Sequence, residues 1–142
     1  MEERYMQLAL KEAEKAALKD EVPIGAVIVK DGKVIAKAHN LCEAKNCIKH
    51  AEILAIEKAC KKLGTSRLWD CDMYVTLEPC TMCAAAISFA RIKNLYFGAM
   101  DEKGGGTSFY QQKTCHHKPK IKAGILANTC SQILKDFFKN KR

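Results

Sequence analysis

The sequence predicts an α/β fold, a three-layer α/β/α sandwich around a mixed central sheet of about five strands. Three observations carry that reading. An antiparallel pair comes early, where "PIGAVIVKDGKVIAKAH" sets two β-rich runs on either side of Asp31-Gly32, a dipeptide favoured in tight hairpin turns. After it, helical and strand patterns alternate to the end of the chain, the order that lays helices against a partly parallel sheet. The length of 142 residues, with no repeat, linker or low-complexity stretch, is that of one domain spanning residues 1–142.

Each element has its own signal. Residues 2–19 read as a helix, with Met6, Leu10, Ala13 and Ala17 recurring at helical spacing. A second helix follows the hairpin from about His50 to Leu63 and stops at Gly64, a residue suited to the left-handed C-cap. "DMYVTL" (72–77) is a short strand, and Pro79 marks entry to a third helix through "CTMCAAAISFA". That helix is apolar around most of its circumference, so it is expected to be central and buried. "IKNLYFGA" (92–99) is a further strand and "KIKAGI" (120–125) the last. "LANTCSQILKDFF" closes the chain as a helix with Leu126, Cys130, Leu134 and Phe137 on one stripe. Between them "EKGGGTSFYQQKTCHHKPK" carries glycines 104–106, and no periodicity sets its conformation.

Composition narrows the class. The N-terminal segment "MEERYMQLALKEAEKAALKDE" is charged throughout, unlike a secretory signal, and no apolar run reaches the roughly 20 residues of a membrane span. The chain is therefore expected in the cytoplasm, away from membranes, where thiols stay reduced. Its eight cysteines then read as metal ligands or core residues, not as a disulfide framework. The net charge of +8 points to an anionic partner such as nucleic acid, with a solvated basic surface as the equal alternative. Cations gather at the end, where Lys135, Lys139, Lys141 and Arg142 surround Phe137 and Phe138. Such interleaving suits phosphate contact plus base stacking, and the two rings equally fit the apolar face of a terminal helix.

Two short segments carry chemistry. In "LEPCTMCAAAI", Cys80 and Cys83 are spaced so that both thiolates reach one ion from the first turn of a helix, whose N-terminus favours the thiolate form. Alone, the pair is also compatible with a redox couple or two small core residues. In "KHAEILAIEKACKK", His50 stands two residues before Glu52 at another helix start. H-x-E followed by P-C-x-x-C is the signature of zinc nucleobase deaminases. The chemistry fits it: three protein ligands leave zinc one open position for water, and Glu52, spared from coordination, is free to shuttle protons.

Over nearly its whole length the chain resembles the bacterial tRNA adenosine deaminase family. The matching stretches are "EVPIGAVIVKDGKVIAKAHN", "HAEILAI", "MYVTLEPCTMCAAAI", "ARIKNLYFGAMD" and "GILANTCSQILKDFF". The resemblance implies the cytidine deaminase-like fold, one zinc per chain on His50, Cys80 and Cys83, and proton transfer by Glu52. It further implies that Asn40 hydrogen-bonds the target base, that Ile24, Ala51, Leu77, Glu78 and Pro79 line its pocket, and that Asp101 lies near the nucleotide backbone. A homodimer and conversion of the wobble adenosine of a tRNA anticodon stem-loop to inosine follow from the same likeness. Two positions depart from the pattern: Ala85 replaces a usual glycine, and Met100 stands where many relatives have arginine.

The remaining candidates are weaker. His117, Lys118 and Lys120, with Phe137, Phe138, Lys139, Lys141 and Arg142, are candidate RNA contacts, and His116 and His117 serve either phosphate or the last loop. His39 is expected to pack or hydrogen-bond locally, Cys42 and Cys47 to be loop thiols, and Cys60, Cys71, Cys115 and Cys130 to be reduced, partly buried cysteines. Two alternatives to RNA editing remain. One is a free-base or nucleotide deaminase for guanine or a cytosine derivative. The other is a non-catalytic, zinc-stabilised binding module, which would need a fourth protein ligand.

Overall fold

The structure, a computed structural model, describes residues 2–141. In chain order it contains α1 (Glu2–Leu18), β1 (Gly25–Lys30), β2 (Lys33–His39), α2 (Ala51–Leu63), β3 (Cys71–Leu77), α3 (Thr81–Phe89), β4 (Asn94–Ala99), a short 3-10 helix (Thr107–Gln111), β5 (Lys120–Ala123) and α4 (Ala127–Lys139). The five strands form one sheet in the order β2-β1-β3-β4-β5. β1 runs antiparallel to both β2 and β3, and β3, β4 and β5 run parallel. The expected mixed sheet is the one observed.

Local chemistry explains the elements. Asp31 (φ 50°) and Gly32 (φ 74°) both adopt the left-handed conformation, which matches the twist of the strands they join. Gly64 ends α2 in the same region (φ 64°), returning its N–H to the Cys60 carbonyl. Side-chain alternation along the strands then sorts the core into two layers. Ala26, Ile28, Met73, Val75, Leu95 and Phe97 face Ala51, Leu54, Ala55, Ala84 and Ile87 of α2 and α3. Val27, Val29 and Tyr74 face Tyr5, Met6, Ala9 and Leu10 of α1 and Cys130 of α4. Burying side chains such as Met6, Ile28, Ile87 and Phe97 contributes roughly 1.5–3 kcal/mol each.

Two expectations about the helices change. The third helix is not buried all round: Cys83, Ala84, Ile87 and Ser88 are buried, while Phe89 is 70% exposed and Met82 points outward. Its apolar circumference reflects one face on the sheet and another left uncovered within this chain. On α4 the described stripe buries only Cys130, and Leu126 precedes the helix with a left-handed φ of 54°. The segment 103–119, which had no readable pattern, is tied to α3. Tyr110 in its 3-10 helix is buried and donates to the Ala84 carbonyl at 2.7 Å. Among the described residues no helix is long and apolar enough to cross a membrane.

The face of β1 toward α1 leaves no room at its first residue. A methyl group on Gly25 would overlap the Ala9 carbonyl oxygen and lie 2.7 Å from the Ala13 nitrogen. Because both neighbours are helix backbone, no rotamer change relieves the overlap. Gly25→Ala should therefore lower stability by about 3 kcal/mol, the upper end of overpacking costs, as measured by urea unfolding. A loss below about 1 kcal/mol would contradict this packing.

Candidate metal centre

Both chemical segments begin helices, and the two helices begin beside each other. His50 is the N-cap of α2, in extended conformation (φ −71°, ψ 154°), and makes no side-chain capping bond. Cys80 is the N-cap of α3, also extended (φ −69°, ψ 172°) and also without a capping bond. These side chains turn from their own helices toward one another. His50 Nδ1 lies 3.7 Å from Cys80 Sγ and 3.5 Å from Cys83 Sγ. One donor atom from each of the three residues falls within 4.8 Å of the others. A tetrahedral zinc ion with ordinary Zn–S and Zn–N bonds separates such donors by roughly 3.6 Å, so the spacing fits one ion.

The electrostatics fit as well. The Cys80 thiol is drawn down to about 5, first by the hydrogen bond from the Cys83 thiol, against the opposing effect of burial. The backbone amides of Cys83 and Met82 and the charge of His50 help. Cys83 is pushed strongly up by the same bond, then by its burial and the nearby Glu52 charge. The bond between the two thiols favours one thiolate, on Cys80, and a cation beside both sulfurs would favour the second.

Glu52 completes the group. It follows His50 on the first turn of α2, is 4% exposed, and its Oε1 is buried with no hydrogen-bond partner among the described residues. Burial pushes its carboxyl up to about 7, opposed mainly by its own backbone N–H and by His50. A buried carboxylate oxygen without a donor is costly, and here it stands beside three metal-ligand atoms.

Of the expected pocket residues, Asn40, Ala51 and Pro79 adjoin this centre. Asn40, at the end of β2, is 5% exposed, and its Oδ1 accepts the Ala51 N–H at 2.8 Å. It thus caps α2 in place of His50, and its Nδ2 hydrogens have no protein acceptor among the described residues. The backbone N–H of Asn40 donates to the Ile24 carbonyl, placing Ile24 beside it. Ala51 is fully buried, Pro79 is buried between β3 and α3, and Leu77 is partly exposed. The Glu78 carboxylate does not point at the three ligands; it accepts hydrogen bonds from Asp101 and Thr107. Asp101 in turn accepts the N–H groups of Lys103 and Gly104 through Oδ1.

The candidate RNA contacts among the described residues divide into three places. Phe137 and Lys141 line a cavity of about 540 Å³ with Lys19, Val22 and Asn40. Phe138, Lys139 and Lys135 line a second, of about 920 Å³, with Val22, Leu77, Met100 and Asp101. Lys141 also pairs with Asp20 and lies 5.4 Å above the Phe137 ring. Arg142 lies outside the described residues. His117, Lys118 and Lys120 are not brought to the centre. Lys120 pairs with Asn94 at the start of β4, whereas the centre lies beyond Ala99 at its end. Five residues of strand separate those ends by roughly 17 Å. His117 donates through Nε2 to the Ile92 carbonyl and meets Trp69 edge to face.

Sequence reading passed over three participants. Glu21, 1% exposed, accepts the N–H groups of Glu43 and Ala44 and so holds the loop before His50. Glu12, also buried, accepts from Lys15 and bonds His39, whose other ring nitrogen meets Lys19. Thr107 bonds Glu78. A charged residue on the apolar face of α1 was the available signal for Glu12; Glu21, in the polar turn after α1, and Thr107 offered none.

Comparison with known proteins gives the family. The family model for MafB19-like deaminases matches residues 1–142. The chain is 54% identical to a tRNA-specific adenosine deaminase from Agrobacterium fabrum, the alignment covering 97% of this chain and 94% of that one. It is 48% identical to the tRNA-specific adenosine deaminase of Bacillus subtilis, covering 99% and 91%. A solved structure from work on A-to-I editing by tRNA:A34 deaminases at the wobble position superposes with a TM-score of 0.90 at 54% identity, covering 92% of this chain and 99% of that one. A guanine deaminase from Nitrosomonas europaea shares the fold alone, with a TM-score of 0.79 at 22% identity over 95% of this chain and 83% of its own. The chain belongs to the MafB19-like deaminase family and, within it, groups with the tRNA-specific adenosine deaminases.

Proposed function

We propose that this chain is a zinc-dependent hydrolytic deaminase that converts the wobble adenosine of a tRNA anticodon to inosine and releases ammonia, acting as a cytoplasmic single-domain enzyme and as a homodimer. The observation that carries the chemistry is the unpartnered, buried Glu52 Oε1 beside the donors of His50, Cys80 and Cys83. Family membership supports the substrate class. Bound by those three residues, zinc supplies Lewis acidity that lowers the pKa of water to about 7.

The chain's own residues do the rest. Glu52 takes one proton from the attacking water and passes it to adenine N1 as oxygen adds at C6; it then takes the second proton, from the new C6 hydroxyl, and delivers it to the amine as the C6–N bond breaks. Water and adenosine thus become inosine and ammonia. A carboxyl raised by burial toward neutrality suits a group that must both take and give a proton. The bond from the α2 amide to Asn40 Oδ1 fixes the side chain, and its Nδ2 hydrogens can then donate to a purine ring nitrogen. Ile24, Ala51, Leu77 and Pro79 wall the ring.

A stacked adenine cannot reach this centre, so the base must leave its loop, at lowest cost from an unpaired anticodon. Cavities on both sides of Val22, one holding Phe137 and the other Phe138, would seat the neighbouring nucleotides by stacking. Lys135 and Lys139 would meet their phosphates. A free-base deaminase has no use for two flanking cavities or a cationic helix. A structural zinc module would need a fourth protein ligand, and the described group has three. His117, Lys118 and Lys120 stand too far along the sheet to serve the same nucleotide.

The direct test offers zinc-loaded protein an adenosine-containing anticodon stem-loop, free guanine and cytidine in parallel. Inosine should form at the wobble position; efficient turnover of a free base with the stem-loop untouched would overturn the reading. Elemental analysis should find one zinc per chain in the wild type and none held tightly by Cys83→Ala, which should also melt at a lower temperature. Glu52→Ala should keep its zinc while losing turnover by about 100- to 10,000-fold, and near-normal turnover would exclude the shuttle. Replacing Lys135 and Lys139 together by alanine should flatten the salt dependence of stem-loop binding, lowering the log–log slope by about 1.4 if two phosphate contacts are lost. An unchanged slope would remove α4 from the interface.

A further inference from the structure

Glu78 directly precedes the Pro79–Cys80 start of α3, and its buried carboxylate faces away from the three ligand atoms into the segment 101–107. Oε1 accepts the Asp101 N–H at 3.2 Å, while Oε2 accepts the Thr107 N–H at 3.3 Å and the Thr107 hydroxyl at 2.5 Å. The segment lies so close that a methyl group on Gly105 would overlap the carboxylate itself. One on Gly106 would overlap the Cys80–Thr81 peptide, lying 2.6 Å from the Cys80 carbonyl oxygen. Gly106 also donates to the Pro79 carbonyl at 2.7 Å. Adjacent glycines are needed here for close approach, since neither has the positive φ that would demand glycine for conformation alone. The far side of the same segment, Asp101 to Lys103, is a wall of the larger cavity.

We propose that Glu78 is a positioning residue for the nucleotide beside the target base. It acts through Gly105, Gly106 and Thr107 to hold the Asp101–Lys103 wall and does not touch the base itself. This rests on the RNA reading above for the identity of the ligand, although the clamp can be tested without it. A carboxylate is required because both of its oxygens must accept. In a glutamine the amide nitrogen would face either Asp101 N–H or Thr107 N–H, donor against donor. Released, the segment would have to be ordered again on each binding event, so the effect belongs in KM more than in kcat.

The experiment compares zinc-loaded wild type with Glu78→Gln, Thr107→Val and Thr107→Ser. Amide hydrogen exchange in a peptide covering 100–108 should quicken at least about tenfold in Glu78→Gln and Thr107→Val and stay near wild type in Thr107→Ser, which keeps the hydroxyl. Zinc content should be unchanged. KM for the anticodon stem-loop should rise about tenfold in the first two variants, with kcat within about threefold. Unchanged exchange in Glu78→Gln would refute the clamp. Faster exchange with unchanged KM and a lost kcat would instead make Glu78 a catalytic residue and overturn the proposal. If Glu78→Gln does not fold, the Thr107 pair decides on the same readouts. If wild type leaves the stem-loop untouched, the RNA reading and the proposed ligand fall together, while exchange still decides the clamp.

Discussion

The structure depends on one constraint: two helices must start at the same point with their N-cap side chains free. A helix N-terminus has unsatisfied amides that the N-cap residue ordinarily covers. Here His50 and Cys80 occupy those positions and make no capping bond. Asn40 supplies the missing acceptor to α2 from the neighbouring strand. The freed imidazole and thiol, joined by Cys83 one turn further on, then converge within ion-binding distance. The positive ends of both helix dipoles point into the same small volume, which favours thiolate and any developing negative charge. Glu52, one residue further into α2 than the capped amide of Ala51, is left buried with an oxygen unanswered.

Around this point the molecule is braced by buried acids. Glu21 accepts amides from the loop before His50, and Glu78 accepts amides from the loop after β4. Each carboxylate converts a loop of little apolar content into a defined wall, which hydrophobic packing could not do there. The distinction matters because the fold by itself does not choose a substrate. A guanine deaminase of the same architecture shares 22% of its residues with this chain. In the function proposed above, the walls make the difference, and here these are loops held by two glutamates together with the last helix.

What could be read from the sequence follows from how local each signal is. The Asp31-Gly32 turn and the Gly64 cap depend on a few neighbouring residues, and the structure places both as read. The H-x-E and C-x-x-C spacings are local too, so the centre was legible before any tertiary information. The 103–119 segment was not, because its shape is set by the Glu78 carboxylate and the Ala84 carbonyl, both far off in sequence. The role of His117 was hidden for the same reason; its partner is the Ile92 carbonyl, 25 residues away. The apolar circumference of α3 misled because composition reports which faces are apolar, not which are covered.

The central claim is that three protein donors, one nitrogen and two sulfurs, share one ion while Glu52 stays outside its coordination sphere. X-ray absorption at the zinc edge of the zinc-loaded protein tests that most directly, with Glu52→Gln measured beside it. The account predicts two sulfur neighbours at about 2.3 Å and two nitrogen or oxygen neighbours at about 2.0–2.1 Å, unchanged in the variant. A shell of three or four sulfurs, or one that loses a light neighbour when Glu52 is replaced, would contradict it.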